Sequence, residues 1–278
     1  MIRTERLRRR ATAAAGASRA GPALSAAITC LVTFTPFTVF ATPALAQQSL
    51  AQRIGAVTGT AELRFASRPD VCGDGGRSFS FGSYDDWHGR CMRGPVHVRL
   101  NLSNGVVTRL QTFVGGPPDS SPAAETDLGS VSTHAAVDYF VSLARRPDTP
   151  ERVAADAILP AALADSTTIS PALLSLAKDH ARPTTVRKRA LFWAGQVGEP
   201  GVLEPVRAIA LDSTDGESMR RQAVFVLSQF PNDSGVPALI AIARDAEGSM
   251  PVRKQALFWL GQKDDPRVTQ FLTSILEH

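Results

Sequence analysis

One internal repeat constrains this chain more than any other feature of its 278-residue sequence. The stretch 186–196 reads V-R-K-R-A-L-F-W-A-G-Q, and it recurs as M-R-R-Q-A-V-F-V-L-S-Q at 219–229 and as V-R-K-Q-A-L-F-W-L-G-Q at 252–262. A fixed period of this size is typical of stacked supersecondary units. Such units are too small to bury an apolar face alone, so neighbouring units must pack together. We therefore predict units of an A helix, a short loop and a B helix, with the motif on the B helix.

The repeat extends beyond the three obvious copies. Apolar pairs on the predicted A helices recur with the same period, at 176–177, 209–210 and 242–243. One period before the first clear copy, the sequence predicts a degenerate copy at about 133–163. One period after the last clear copy, it holds half a unit. The sequence therefore predicts about four and a half repeats over residues 132–278.

The V-R-x-x-A core of the motif resembles the short HEAT-like repeats of the phycobilin-lyase class. The pairs that match it are Val186-Arg187, Met219-Arg220 and Val252-Arg253. The resemblance implies an α-α superhelix in which the arginines bond the turns between repeats, and it says little about function. Family units often run to about 40–47 residues, and Trp193 and Trp259 stand where such units usually place something small. The order of the segments resembles that of exported bacterial HEAT-repeat proteins.

The first 46 residues have the features of a secretory signal peptide. An arginine-rich start precedes an apolar run, and Ala44-Leu45-Ala46 has the small-x-small form of a cleavage site, so Gln47 would be the first mature residue. An uncleaved anchor is the alternative. Without the six arginines and one glutamate of this leader, 24 basic and 25 acidic residues remain, a net charge of −1. We therefore predict an exported protein, periplasmic or extracellular, that has no membrane association after cleavage.

Residues 57–115 have β character and carry two cysteines. Their alternation of apolar and polar side chains is typical of half-buried strands. Cys72 and Cys91 are the cysteines that remain after the leader, and in an oxidising compartment they most simply form one disulfide. A metal site or free thiols are the alternatives. A domain of about 60 residues is marginal by size, which gives the cross-link a structural purpose.

The clearest hairpin is predicted at 96–113, connected by Ser103-Asn104-Gly105. A two-residue loop would set Leu100 opposite Arg109. A three-residue loop sets Leu100 opposite Thr108 and keeps the apolar face together, so we predict that register.

Two further segments complete the organisation. Residues 47–56 are a polar lead-in, and residues 116–131 are a linker without periodicity that is rich in Pro, Ser and Ala. The predicted fold class is therefore α+β with two domains. A small disulfide-linked β domain is followed by an α-α superhelix, that is, a HEAT-like solenoid.

The predicted B helices carry a recurring stripe on the side away from their apolar face. Each phenylalanine of this stripe is followed four residues later by a glutamine, which places the pair on one surface: Phe192 with Gln196, Phe225 with Gln229, and Phe258 with Gln262. A basic row lies beside the pairs, formed by Lys188, Arg221 and Lys254, with Arg189 in the next row. The phenylalanines are either extra core between units or a stripe that binds a partner in the groove.

No catalytic pattern is present in the sequence. It contains no G-x-S-x-G and no H-E-x-x-H, and the group Asp85, Asp86 and His88 does not define a metal geometry. We predict no catalytic residue, no metal and no cofactor. We expect a monomeric scaffold that binds a protein or an extended peptide along the groove.

Two other function classes stay open. One is an enzyme, by analogy with HEAT-like lyases or glycosylases. The other is a nucleic-acid-binding solenoid that uses Lys188, Arg189, Arg221 and Lys254. The charge of the mature chain and the export signal oppose nucleic-acid binding, which depends on phosphate neutralisation and would weaken steeply with salt.

Overall fold

The computed structural model describes residues 48–76, 78–81, 91–115 and 123–277. The predicted signal peptide, its cleavage site before Gln47 and the candidate metal ligands at 85–88 lie outside these ranges. None of the helices within them is long and apolar enough to cross a membrane. The described chain has a small β-sheet region followed by helices, so the α+β class is confirmed in this form.

Six strands form the sheet region. In chain order they are β1 (Gly59–Phe65), β2 (Val71–Gly73), β3 (Phe79–Phe81), β4 (Val96–Ser103), β5 (Val106–Val114) and β6 (Thr126–Ser130). Four of them make one sheet in the order β5-β4-β1-β6, and β2 pairs with β3 in a separate hairpin. Alternate residues of β1, namely Ala61, Leu63 and Phe65, are buried, as the period of a strand requires when one face meets a core.

The turn between β4 and β5 differs from the predicted register. Ser103 pairs with Val106, so the loop has two residues, Asn104 and Gly105, both with positive φ as hairpin turns of this length require. A bulge then follows, and Leu100 lies opposite Leu110. The predicted three-residue register was wrong, because the extra residue that realigns the apolar face lies in β5 and not in the turn.

The segments that were predicted to be a polar lead-in and a linker both contain regular structure. The lead-in contains helix α1 (Leu50–Gly55), which Ser49 and Gln52 cap reciprocally. The second half of the predicted linker forms β6, which pairs with β1 in parallel. The guanidinium of Arg53 donates to the carbonyl of Leu128 and so ties α1 to β6.

Ten helices follow in the described chain. They are α2 (Thr133–Arg145), α3 (Glu151–Asp156), α4 (Ile158–Leu163), α5 (Ser170–Lys178), α6 (Thr184–Val197), α7 (Leu203–Leu211), α8 (Glu217–Ser228), α9 (Val236–Arg244), α10 (Met250–Leu260) and α11 (Pro266–Leu276). Helices α5, α7 and α9 begin at residues 170, 203 and 236, and helices α3, α6, α8 and α10 begin at 151, 184, 217 and 250. The first residues of these helices therefore recur with the same period as the sequence motif.

The first of these units is interrupted where its sequence departs from the others. Pro160 occupies the position of Trp193 in the next unit. A proline has no N–H to donate to the carbonyl four residues earlier, and here that carbonyl belongs to Asp156, the last residue of α3. The segment therefore breaks into α3 and α4, whereas α6 runs unbroken.

Close approach of neighbouring helices depends on a small residue. A Cβ built on Gly195 of α6 would overlap the side chain of Val226 in α8. Glycine at this position lets α6 and α8 pack closely enough for their other side chains to meet.

The sheet and the helices share one hydrophobic core. The ring of Phe65 lies 6.2 Å from that of Phe140 in α2, measured between centroids. The chain after β1 also bonds to the last residue of α4, with the Arg68 N–H donating to the Leu163 carbonyl at 2.9 Å. The described residues all belong to a single compact unit, so the sheet region does not separate from the helices as an independent domain.

Candidate binding surface

The predicted stripe begins with two stacked phenylalanines on neighbouring helices. Phe192 of α6 and Phe225 of α8 have centroids 6.3 Å apart and planes that differ by 7°. Both side chains are half-buried and pack against the core with one face. Each ring is therefore a contact between units and also a part of the surface.

Tryptophan extends this stack to the last B helix. Trp259 of α10 lies 5.4 Å from Phe225 and 5.1 Å from Phe258. Phe258 is 58% exposed, the most of the three phenylalanines. Phe258 is therefore the ring most available to a partner.

The β2–β3 hairpin completes the other end of the row. Phe79 and Phe81 of β3 lie 6.2 Å and 5.9 Å from Trp193, which in turn lies 5.3 Å from Phe192. Trp193 is only 6% exposed. We call the whole row the aromatic ladder; its members are Phe79, Phe81, Trp193, Phe192, Phe225, Trp259 and Phe258.

The predicted disulfide fixes the hairpin that carries the first two rings. Cys72 of β2 is bonded to Cys91, with Cα atoms 5.3 Å apart. Ser80 of β3 pairs with Cys72 across the hairpin. The disulfide therefore restrains the strand that holds Phe79 and Phe81 against Trp193. From domain size alone, the disulfide was expected only to stabilise a small domain.

The glutamines do not form a uniform row. Gln196 lies within α6, whereas Gln229 is the residue after α8 and Gln262 lies two residues beyond the end of α10. The amide of Gln229 donates to Ser228 Oγ at 3.0 Å. Of the three predicted Phe–Gln pairs, only Phe192 and Gln196 are one helical turn apart within a single helix.

The basic row is partly engaged within the protein. Arg189 lies 3.5 Å from Asp156 of α3. Arg221 Nε donates to Gln255 Oε1 at 2.5 Å and so links α8 to α10. Lys188 is half-buried and Lys254 is exposed. The row therefore contributes to contacts between helices as well as to the surface charge.

The arginines of the V-R motif make a repeated bond inside the structure. In each unit the Nε donates to the carbonyl ten residues earlier, at the end of the A helix: Arg187 to Ala177 at 2.9 Å, Arg220 to Ala210 at 3.3 Å and Arg253 to Ala243 at 3.4 Å. Only Arg187 in this series also makes a buried ion pair, with Asp215 before α8.

One cluster of potential metal ligands occurs among the described residues, formed by His180, Asp212 and Asp215. Its chemistry does not favour a cation, because both oxygens of Asp215 accept from Arg187. Asp212 accepts from the hydroxyl and the N–H of Thr214, and these hydrogen bonds lower the pKa of its carboxyl. The acidic groups thus have structural partners.

The sequence did not indicate the full ladder. Trp193 was singled out only as a departure from the HEAT-like pattern, and its contact with β3 joins residues that are far apart in the chain. The alternation of Phe79 and Phe81 marked a strand and gave no partner. The adjacent Phe and Trp of two motif copies were the available signal for a continuous row of rings.

No protein-family model matches this sequence, and no curated protein is similar to it. The arrangement of the described residues therefore carries the functional reasoning.

Proposed function

We propose that this is an exported HEAT-like solenoid protein that binds an extended peptide segment of another protein along the aromatic ladder. The solenoid assignment rests on helix starts that repeat with the period of the sequence motif and on the arginine bond that recurs in three units. Export rests on the leader sequence and on a disulfide of the kind that persists in oxidising compartments.

The observation that carries the binding proposal is the exposure of Phe258 within an ordered row of rings. Burying the apolar surface of a large aromatic side chain is favourable, and rigid aromatic residues contribute more than their share of binding energy at interfaces. Phe258 packs edge-to-face against Trp259, with ring centroids 5.1 Å apart. A pre-organised ring loses less entropy when a partner covers it.

The dimensions of the ladder favour an extended segment. Successive rings from Phe192 to Phe258 are 5.1–6.3 Å apart. About five residues of extended chain span three such steps. Apolar side chains at alternate positions of the segment would meet successive rings, and Gln229 and Gln262 would offer amides to its backbone.

The test selects binders for the purified exported protein from a library of random seven-residue peptides and measures their affinity by fluorescence anisotropy. Phe258→Ala should weaken binding by about tenfold or more, because hot-spot aromatics contribute at least about 2 kcal/mol. Circular dichroism melting should show almost no change, since the ring is mostly exposed.

Met250→Ala is the matched control. Met250 lies on the same helix and is 53% exposed, but it is not part of the ladder. It should leave affinity unchanged. Equal effects of the two substitutions, or selection of no peptide at all, would contradict the ladder as a binding surface. Steep loss of binding with salt would instead favour a polyanionic ligand.

A further inference from the structure

A small cavity lies beside the sheet end of the aromatic ladder. It has a volume of about 230 Å³ and is lined by residues of β5, α3, α4 and α6 together with Phe79. Phe79 also contacts Trp193, so the same ring belongs to the cavity wall and to the ladder. Arg189 stands four residues before Trp193 on α6, one helical turn away. The cavity and the ladder are therefore continuous.

The cavity is strongly basic. Three arginines from three different elements line it, Arg109 from β5, Arg152 from α3 and Arg189 from α6. Asp156 is the only carboxylate that the described residues contribute to its lining. It lies 3.8 Å from Arg152 and 3.5 Å from Arg189. Among the described residues of the lining, one negative charge thus opposes three positive charges, and Arg109 has no carboxylate partner within the described part of the chain.

The position of the cavity indicates what sort of anion it takes. A chain that runs along the ladder from Phe258 past Phe192 comes next to Phe79 of β3, which lines the cavity together with Gln111 of β5. A cavity of this volume holds a group the size of a carboxylate and a few waters, since a water takes about 30 Å³ of liquid. A chain terminus fits such a place better than a continuing segment.

We propose that the cavity bounded by Arg109, Arg152 and Arg189 binds the C-terminal carboxylate of the peptide whose side chains lie on the ladder. This inference rests on the proposed peptide binding and specifies its direction, with the C terminus towards the sheet. Arginine suits the role because its planar group of donors matches the two oxygens of a carboxylate. Thr112 Oγ1 in the same lining is buried and makes no hydrogen bond to any described residue.

The experiment compares three forms of one seven-residue peptide selected on the full exported protein: the free acid, the C-terminal amide and the free acid extended by two glycines. The free acid should bind about ten- to a hundredfold more tightly than the amide, as expected for hydrogen bonds to a charged group. The extended form should bind as weakly as the amide, because its carboxylate no longer reaches the cavity.

Substitutions then locate the effect. The double variant Arg109→Gln with Arg189→Gln should bring the acid and the amide to within about twofold of each other, since their difference comes from the lost charge-assisted bonds. Arg207→Gln is the matched control, because Arg207 is a similarly exposed arginine, paired with Glu204 on α7. It should preserve the full difference between acid and amide.

The outcomes separate this inference from the proposed function. A ladder-dependent peptide that binds equally well as acid and amide would overturn the carboxylate site and leave peptide binding intact. A tight-binding extended form would show that the acidic group is not terminal, which also overturns the inference. Failure to select any peptide that depends on Phe258 would overturn both.

Discussion

Removal of one partner from the buried ion pair between Arg187 and Asp215 should strongly destabilise the helical region. Arg187 is 5% exposed and Asp215 is 7% exposed. The two guanidinium nitrogens reach the two carboxylate oxygens at 2.9 and 2.5 Å. The pair joins α6 of one unit to the turn before α8 of the next, so it acts between units.

Asp215→Ala should lower the free energy of unfolding by about 3–5 kcal/mol, because it leaves a buried guanidinium without its counter-ion. In a chain of this size such a loss lowers the melting temperature by roughly 6–20 °C. Arg187→Met with Asp215→Leu removes both charges and should be much less harmful than either single change, since apolar groups replace a buried pair at little cost. Urea titration of the double variant and of its two single variants gives the coupling free energy.

The chain supplies a matched control in the next unit. Arg220 makes the same bond to a carbonyl ten residues earlier, but Gly248 occupies the position equivalent to Asp215. Arg220→Met should therefore cost only about 1 kcal/mol, the net value of one hydrogen bond. Losses of equal size for Asp215→Ala and Arg220→Met would refute the argument, as would a double variant whose loss equals the sum of the single losses.

Four further outcomes are expected. Burial raises the pKa of Tyr139 to about 12 from 10.0, so the stability from this buried neutral phenol is complete below pH 10 and is lost as the pH rises towards 12. In a pH titration that compares the protein with Tyr139→Phe, the difference in phenolate absorbance should appear only near pH 12. A difference that appears near pH 10 would contradict the burial of Tyr139. Reduction should raise the intact mass by two hydrogen atoms for the Cys72–Cys91 bond, whereas two alkylated thiols in the unreduced protein would disprove the bond. N-terminal mass spectrometry of the exported protein should find Gln47 first, and a chain that begins at Met1 would exclude cleavage. Phe225→Ala should cost about 2 kcal/mol in thermal melting, less than the roughly 3–5 kcal/mol of a fully buried ring, because the side chain is only half-buried. A loss of about 3–5 kcal/mol would make the ring part of the core alone.

The positions of the repeated helices were largely determined by the sequence. Four B helices, α3, α6, α8 and α10, begin at even intervals because the same apolar spacing recurs with a fixed period. The strands at 59–65 and 96–103 follow from alternation, which is a local property of the chain. The cysteine pairing followed from there being only two candidates after the leader.

Local pattern was insufficient wherever a distant segment set the outcome. The turn after β4 was assigned a wrong register because a bulge in β5 has no signature in the apolar alternation. The strand Thr126–Ser130 was predicted to be linker because its short polar sequence has no strand pattern of its own. It becomes a strand by pairing in parallel with β1, which lies much earlier in the chain. Pairing of this kind is a property of two segments together, and neither segment indicates it alone.

The candidate site shows the same division. The sequence alone determined that Phe192, Phe225 and Phe258 recur on equivalent helices, because a helical period fixes which side chains share a face. Only the tertiary structure decided how exposed each ring is, because exposure depends on the neighbouring side chains that cover the ring. Phe192 and Phe225 cover one another. Phe258 has Trp259 on one side and remains mostly exposed. The basic cavity likewise exists only after folding, since a β-strand and two helices must meet before their three arginines line one space.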